Sequence, residues 1–293
     1  MKKIIISLSV IAAVAAVAIG ASTAFFSDTE TSTGNTFTAG AIDLGNDNTS
    51  YYNGQPNPGT SWQLSYDMDL CTVPNPAYNP TGNPAVDPEG DPATLPCMFF
   101  NFNDLKPGDW GEDTISLHVN NNDSWLCADV TLTSNDDNGL TEPEGDDNDA
   151  DDGPWNGELA NAISWYWWGD DGDNVFEDNE RLLPGSGFTF GEPVATTTYY
   201  VALADSQTNI WVNATGTPLR GDDTRYVGKA WCFGNSTFAP YPQGTTGPDE
   251  RPVLCDGSRV NNVTQTDSLT ADISFRAVQS RNNGNFQCST PTG

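Results

Sequence analysis

Residue patterning predicts an all-β chain: a jelly-roll-like antiparallel β-sandwich with long acidic and disulfide-stapled loops. Three observations carry the prediction. Apolar and polar residues alternate with period two along several segments, the mark of half-buried antiparallel strands. Twenty prolines and twenty-eight glycines punctuate those segments as turn signals. Six cysteines follow an export-type leader and none stands in a Cys-x-x-Cys pair, which reads as a disulfide framework.

The leader comes first in the chain. Lys2 and Lys3 precede an apolar run from Ile4 to Gly20, and Ser22-Thr23-Ala24 places small residues at −3 and −1. This pattern predicts a secretory signal peptide over residues 1–24, cut after Ala24 by signal peptidase, so that the mature chain starts at Phe25. The run is also about the minimum length for a membrane span; left uncut, it would be the chain's one tie to a membrane. A pilin-type cut before the run is disfavoured, because Met1-Lys2-Lys3 contains no glycine to cut after. Export implies an oxidising, extracellular or cell-surface setting.

The net charge is −29, which excludes nucleic acid and anionic membrane surfaces as partners and favours cations. Nine Trp and thirteen Phe make the chain too aromatic for a disordered acidic polymer, so it folds.

Strand signals then follow in order. Thr36–Leu44 is the first run. Trp62, Leu64, Tyr66, Met68 and Leu70 alternate with polar neighbours, as do Ile115, Leu117 and Val119, and Leu126, Ala128, Val130 and Leu132. Tyr199–Leu203 and Tyr226–Phe233 fit the same pattern, and Leu269, Ala271, Ile273, Phe275 and Ala277 close the series. Helix signals are thin, with one short helix expected within Trp155–Ala162. A single sandwich domain is expected over 36–293, with loop insertions at about 72–96 and 135–225. The first insertion is bracketed by Cys71 and Cys97. Sequence proximity pairs Cys71 with Cys97 and Cys232 with Cys255, leaving Cys127 for Cys288, one of fifteen connectivities.

Three segments resemble one family. The first runs from Ala24-Phe25-Phe26-Ser27-Asp28 into Gly34-Asn35-Thr36-Phe37-Thr38-Ala39-Gly40-Ala41-Ile42-Asp43-Leu44. The second is Asn103-Asp104-Leu105-Lys106-Pro107-Gly108-Asp109, leading to a strand and Asn120-Asn121-Asn122. The third is Ser268-Leu269-Thr270-Ala271-Asp272-Ile273-Ser274-Phe275-Arg276-Ala277. Together, over about 40 residues, they resemble the TasA/camelysin family of secreted biofilm-matrix fibre proteins and related archaeal bundling-pilus subunits. The six cysteines, the acidic loops and the scarcity of lysine depart from the matrix-fibre type.

The resemblance implies a jelly-roll subunit that polymerises with copies of itself by donor-strand exchange. Its donor would be the N-terminal segment 25–35, with Phe25 or Phe26 giving register and Phe37 beginning the strand that follows. The residues are compatible with that role: the stretch is rich in Ser and Thr and free of proline, and such a segment can add a strand to a sheet edge. A head-to-tail contact of this kind does not close and generates a filament. Lys106-Pro107-Gly108-Asp109 has a purely structural reading as a type II turn.

Candidate binding chemistry is concentrated in acidic segments. Asp170, Asp171, Asp173, Asn174, Glu177 and Asp178 offer several oxygens from one Gly-turned segment, as calcium requires, although the spacing is not that of an EF-hand. Within 135–154, nine acidic residues form a solvated or cation-binding loop, with Asp146, Asp147, Asp149, Asp151 and Asp152 as further candidates. Trp165-Tyr166-Trp167-Trp168, if a strand, splits into two faces; it reads as core or subunit interface. One face as a sugar-stacking platform would give the competing function, a monomeric calcium-dependent carbohydrate-binding or surface adhesion module. Asn48, Asn122, Asn213, Asn235 and Asn262 begin N-x-S/T glycosylation sequons. Arg220-Gly221-Asp222 reads as an ordinary turn. No enzyme is expected. The single histidine, His118, is read as exposed, no second His completes an HExxH zinc site, and no G-x-S-x-G elbow occurs.

Overall fold

The computed structural model describes residues 28–32, 35–39, 43–66, 71–72, 94–95, 97–102, 104–149, 152–183, 186–212, 216–245 and 253–288. For 28–39, 43, 71–72 and 94–95 the description is of the backbone. The signal peptide, Phe25, Phe26, Asn213, Asp151 and most of 72–96 lie outside the described residues. Among those described, no helix is long and apolar enough to cross a membrane.

The strands are β1 (Asp28–Ser32), β2 (Asn35–Ala39), β3 (Asp43–Tyr52), β4 (Gln55–Pro56), β5 (Trp62–Ser65), β6 (Cys71–Thr72), β7 (Thr94–Leu95), β8 (Trp110–Asn120) and β9 (Ser124–Asp136). They continue as β10 (Ile163–Asp170), β11 (Arg181–Leu182), β12 (Thr197–Ala204), β13 (Asp223–Phe233), β14 (Asn235–Phe238), β15 (Val253–Asp256) and β16 (Ser268–Gln279). Among the described residues two short α-helices, α1 (Glu142–Asp146) and α2 (Leu159–Ala162), interrupt the series.

Two sheets pack as a jelly-roll-like sandwich. One has the order β1-β2-β16-β9-β12, the other β11-β10-β13-β8-β3-β4 with β5 also on β3. The alternation seen in the sequence places one face of each long strand inside. Leu126, Ala128, Val130 and Leu132 of β9 and Ala271, Ile273, Phe275 and Ala277 of β16 meet Ile115, Leu117, Val119, Val227, Trp165, Trp167 and Trp231 from the opposite sheet. The predicted strands are present with two differences of extent. The run over 62–70 forms strand only over Trp62–Ser65, with 67–70 outside the described residues. The first run is divided into β2 and β3, and β3 continues to Tyr52. The span 135–225 is not an insertion: β10 and β12 within it are integral members of the two sheets.

Among the described strands the pairing is antiparallel with one exception. β2 runs parallel to β16, with Asn35, Phe37 and Ala39 at the register positions of Ile273, Phe275 and Ala277. Alternation within a strand carries no information on the direction of its neighbour, so the sequence could not announce this.

One cation lies inside the sandwich. Lys229 shares the inward phase of β13 with Val227 and Trp231, and its Nζ sits 2.8 Å from Asp113 Oδ2 on β8, both side chains buried. The rings of Phe99 and Phe100 lie 5.6 and 5.3 Å from the ammonium. Beside it, β3 turns polar residues inward. Asn48 Nδ2 donates to Thr60 O at 2.6 Å, and Thr60 Oγ1 donates to Ser50 Oγ at 2.9 Å.

Two predicted disulfides are present. Cys232–Cys255 joins β13 to β15, and Cys127–Cys288 staples the C-terminal segment to β9. Cys97 is also disulfide-bonded; the side chain of its expected partner Cys71 lies outside the described residues. The outer face of β9 is covered by the C-terminal segment, where Trp125 Nε1 donates to Asn283 O at 2.8 Å.

Candidate functional site

The acidic segment after β10 is shaped by its own apolar residues. Val175 and Phe176 are buried, and Phe176 packs against Trp168 and Phe238 at centroid distances of 5.9 and 4.8 Å. This second cluster, which includes Tyr166 stacked on Phe238 at 4.3 Å, covers the outer face of the sheet. All four residues from Trp165 to Trp168 are therefore buried. Neither face offers a platform for stacking a sugar, and the core reading of this run stands.

With the loop pinned, its carboxylates divide into two kinds. Asp170 is buried and organises the turn: Oδ1 accepts from Trp168 Nε1 at 3.0 Å, and Oδ2 accepts from the Gly172 and Asn174 N–H groups at 2.9 and 3.4 Å. Glu180, missing from the predicted ligand set, accepts from the Asp171 and Glu177 N–H groups, both at 2.9 Å. Glu177 is fully buried and accepts from Gln243 Nε2 at 2.7 Å, from Thr245 N at 3.0 Å and from Gly244 N.

Asp171, Asp173 and Glu177 then bring one carboxylate oxygen each within 4.8 Å of one another. Asn174 is buried beside them in sequence, and both its side-chain atoms lack a partner among the described residues. Asp178 is exposed and outside the cluster. Burial lifts Glu180 to about 8 and Asp170 to about 6, with neighbouring acids adding to both. These directions follow from negative groups held together away from water. Such a site would bind a hard cation through oxygens. Glu177 and Glu180 owe their placement to backbone donors three to sixty-eight residues away, a relation that spacing alone does not reveal.

The second candidate is the end of the first sheet, where β1 is outermost and β2 lies between it and β16. Of the expected donor segment 25–35, residues 28–32 and Asn35 are among those described. Residues Asp28–Ser32 fold back as β1 onto β2, and β2, containing Phe37, is the strand that pairs with β16. β2 covers Ile273–Ala277, so the first half of β16 lies beyond it.

The remaining predicted positions are placed as follows. Asn48 is buried with its amide engaged, so that sequon has no room for a glycan in the folded protein. Asn235 and Asn262 are exposed and Asn122 is half-buried. His118 is not simply exposed: its Nε2 is 2.9 Å from Asp47 Oδ2 and its Nδ1 is 3.0 Å from Thr224 Oγ1. Gly221-Asp222 is a turn closed by Asp223 N donating to Arg220 O. Lys106–Asp109 is the expected turn, with Asp109 N donating to Lys106 O at 2.9 Å and Gly108 at φ 96°. Asp109 accepts from the Tyr52 hydroxyl at 2.6 Å and Asn53 Nδ2 at 2.8 Å, locking this turn to the end of β3. No family model matches the chain, and no curated protein matches it.

Proposed function

We propose that this protein is a secreted structural subunit of the TasA/camelysin type that polymerises head-to-tail into extracellular fibres by exchanging its N-terminal strand. The observation that carries the reading is the parallel pairing of β2 with β16. These strands stand at opposite ends of the chain, and β2 lies between β16 and its own hairpin partner β1, so the same pairing to β16 can be made by a β2 from another copy. In the single chain the segment before β2 is folded onto it as β1. Opened out in the same register, Thr31 and Thr33 would fall beside Leu269 and Ala271 and lengthen the pairing along β16. Exchange then trades the five-residue β1–β2 pairing for pairing along the first half of β16, so the two arrangements are close in main-chain hydrogen bonds and side-chain contacts between copies must favour the fibre. Calcium at the Asp171–Asp173–Glu177 cluster would neutralise acidic surfaces that repel one another when subunits pack.

The test is negative-stain electron microscopy of the chain starting at Phe25, with and without calcium, beside a version lacking 25–39. Filaments from the first and none from the second are expected. Uniform single particles from both overturn the reading.

A further inference from the structure

We propose that Asp137, Glu144 and Asp267 form a calcium site, distinct from the 170–180 loop, that ties the end of β9 to the start of β16. The three come from separate stretches: the residue after β9, helix α1, and the residue before β16. One carboxylate oxygen from each lies within 4.8 Å of the others. Glu144 is 0% and Asp137 2% exposed.

Half of each carboxylate is accounted for. Asp137 Oδ1 accepts from Gly139 N at 2.9 Å and Thr266 Oγ1 at 3.4 Å. Glu144 Oε2 accepts from Thr141 N in the capping box of α1. Asp267 Oδ2 accepts from Glu158 N at 2.6 Å and Leu159 N at 2.9 Å, at the start of α2. The other halves are not. Asp137 Oδ2, Glu144 Oε1 and Asp267 Oδ1 are sealed from water and meet no hydrogen-bond donor among the described residues, and Glu158 Oε2 is in the same state.

A buried carboxylate oxygen without a donor is costly, and several charges of one sign together are costlier. A cation resolves the whole arrangement at once. Only oxygens are on offer, and several carboxylates converge in a place closed to water. Calcium accepts 6–8 oxygens in loose geometry, whereas magnesium keeps much of its water. Sequence spacing could not assemble this site, because Asp267 is remote in the chain from Asp137 and Glu144. The proposal does not depend on polymerisation.

The experiment is thermal denaturation of the chelator-stripped chain titrated with calcium chloride alone. Wild type is compared with Glu144→Gln, with Asp267→Asn, and with Asp171→Asn/Asp173→Asn. Calcium at one hundred times its Kd should raise the wild-type Tm by about 5 °C. Glu144→Gln and Asp267→Asn each keep an acceptor for their backbone donors. Each should weaken the calcium midpoint by at least about tenfold, while the stripped variant melts no lower than stripped wild type because a stranded charge is gone. The loop double variant should keep the response of this site. No calcium-dependent rise in wild type overturns the proposal. So does a rise unchanged in both Glu144→Gln and Asp267→Asn, whether or not the loop variant abolishes it.

Discussion

Replacing Lys229 by Met should be among the most damaging single changes in this protein, and replacing its partner as well should undo the damage. Lys229 Nζ and Asp113 Oδ2 are 2.8 Å apart with side chains 0% and 2% exposed. At an effective dielectric of about 20 their attraction is about 6 kcal/mol, set against a desolvation cost of several kcal/mol for each ion. The pair therefore comes close to balance, whereas Asp113 alone would retain its cost with no return. Its other oxygen already lacks a donor. Breaking the pair should cost about 3–5 kcal/mol. For a chain of this size each kcal/mol moves Tm by about 2 °C, so Lys229→Met should melt about 6–10 °C lower. Asp113→Val should do the same by stranding the ammonium between Phe99 and Phe100. The double variant should return to within about 1 kcal/mol of wild type or exceed it. The assay is urea and thermal unfolding followed by near-UV circular dichroism with calcium held constant, analysed as a double-mutant cycle. Single variants that lose under about 1 kcal/mol, or a double variant that falls by the sum of the two, would refute this account.

Other substitutions test other parts of the structure. A Cβ at Gly228 would stand 2.0 Å from Trp168 Cε2, so Gly228→Ala should destabilise by about 3 kcal/mol and disturb the near-UV signal of the buried indoles. The Cys127–Cys288 bridge spans 161 residues and Cys232–Cys255 spans 23. In the chain-entropy treatment their removal costs about 5 and about 3.4 kcal/mol, so the paired alanine variant of the longer bridge should unfold at lower urea. Asp129 is raised above its ordinary range because burial outweighs the attraction of Arg276. A carboxyl with a raised folded-state pKa favours the folded state when protonated, so its contribution is present at low pH and is lost as pH rises from about 4. Asp129→Asn should lack that part of the decline, read as the difference between the two stability–pH curves. In a glycosylating host, peptide mass mapping should find Asn235 or Asn262 modified and Asn48 bare.

What was legible in the sequence is what period-two alternation encodes. β8, β9 and β16 were readable because Ile, Leu, Val, Ala and Phe stand at alternate positions, and Cys232–Cys255 because neighbours in sequence were neighbours in space, which left Cys127 for Cys288. β3 beyond Leu44 was not, because its inward positions Asn46, Asn48 and Ser50 are polar, and Asn48 and Ser50 bond to Thr60 and Ser61. Lys229 was hidden for the same reason: a charge in the apolar phase looks like an interruption until Asp113 is found opposite it. The acidic loop after β10 was visible as composition. The holding of Glu177 depends on the Gln243 side chain and the Gly244 and Thr245 N–H groups, which no local pattern contains.

The order of connections around β16 also sets how the molecule bears mechanical load. A pull on the N-terminal strand reaches β16 through the five residues of β2, then passes to β9 through a ladder running the length of β16. Beyond β16 the chain is bolted covalently to β9 through Cys288 and Cys127. In the fibre proposed above, the five-position β2–β16 pairing would be the shortest link on this path, against twelve positions between β16 and β9, so a break there would leave the subunit intact and its edge free to be filled again.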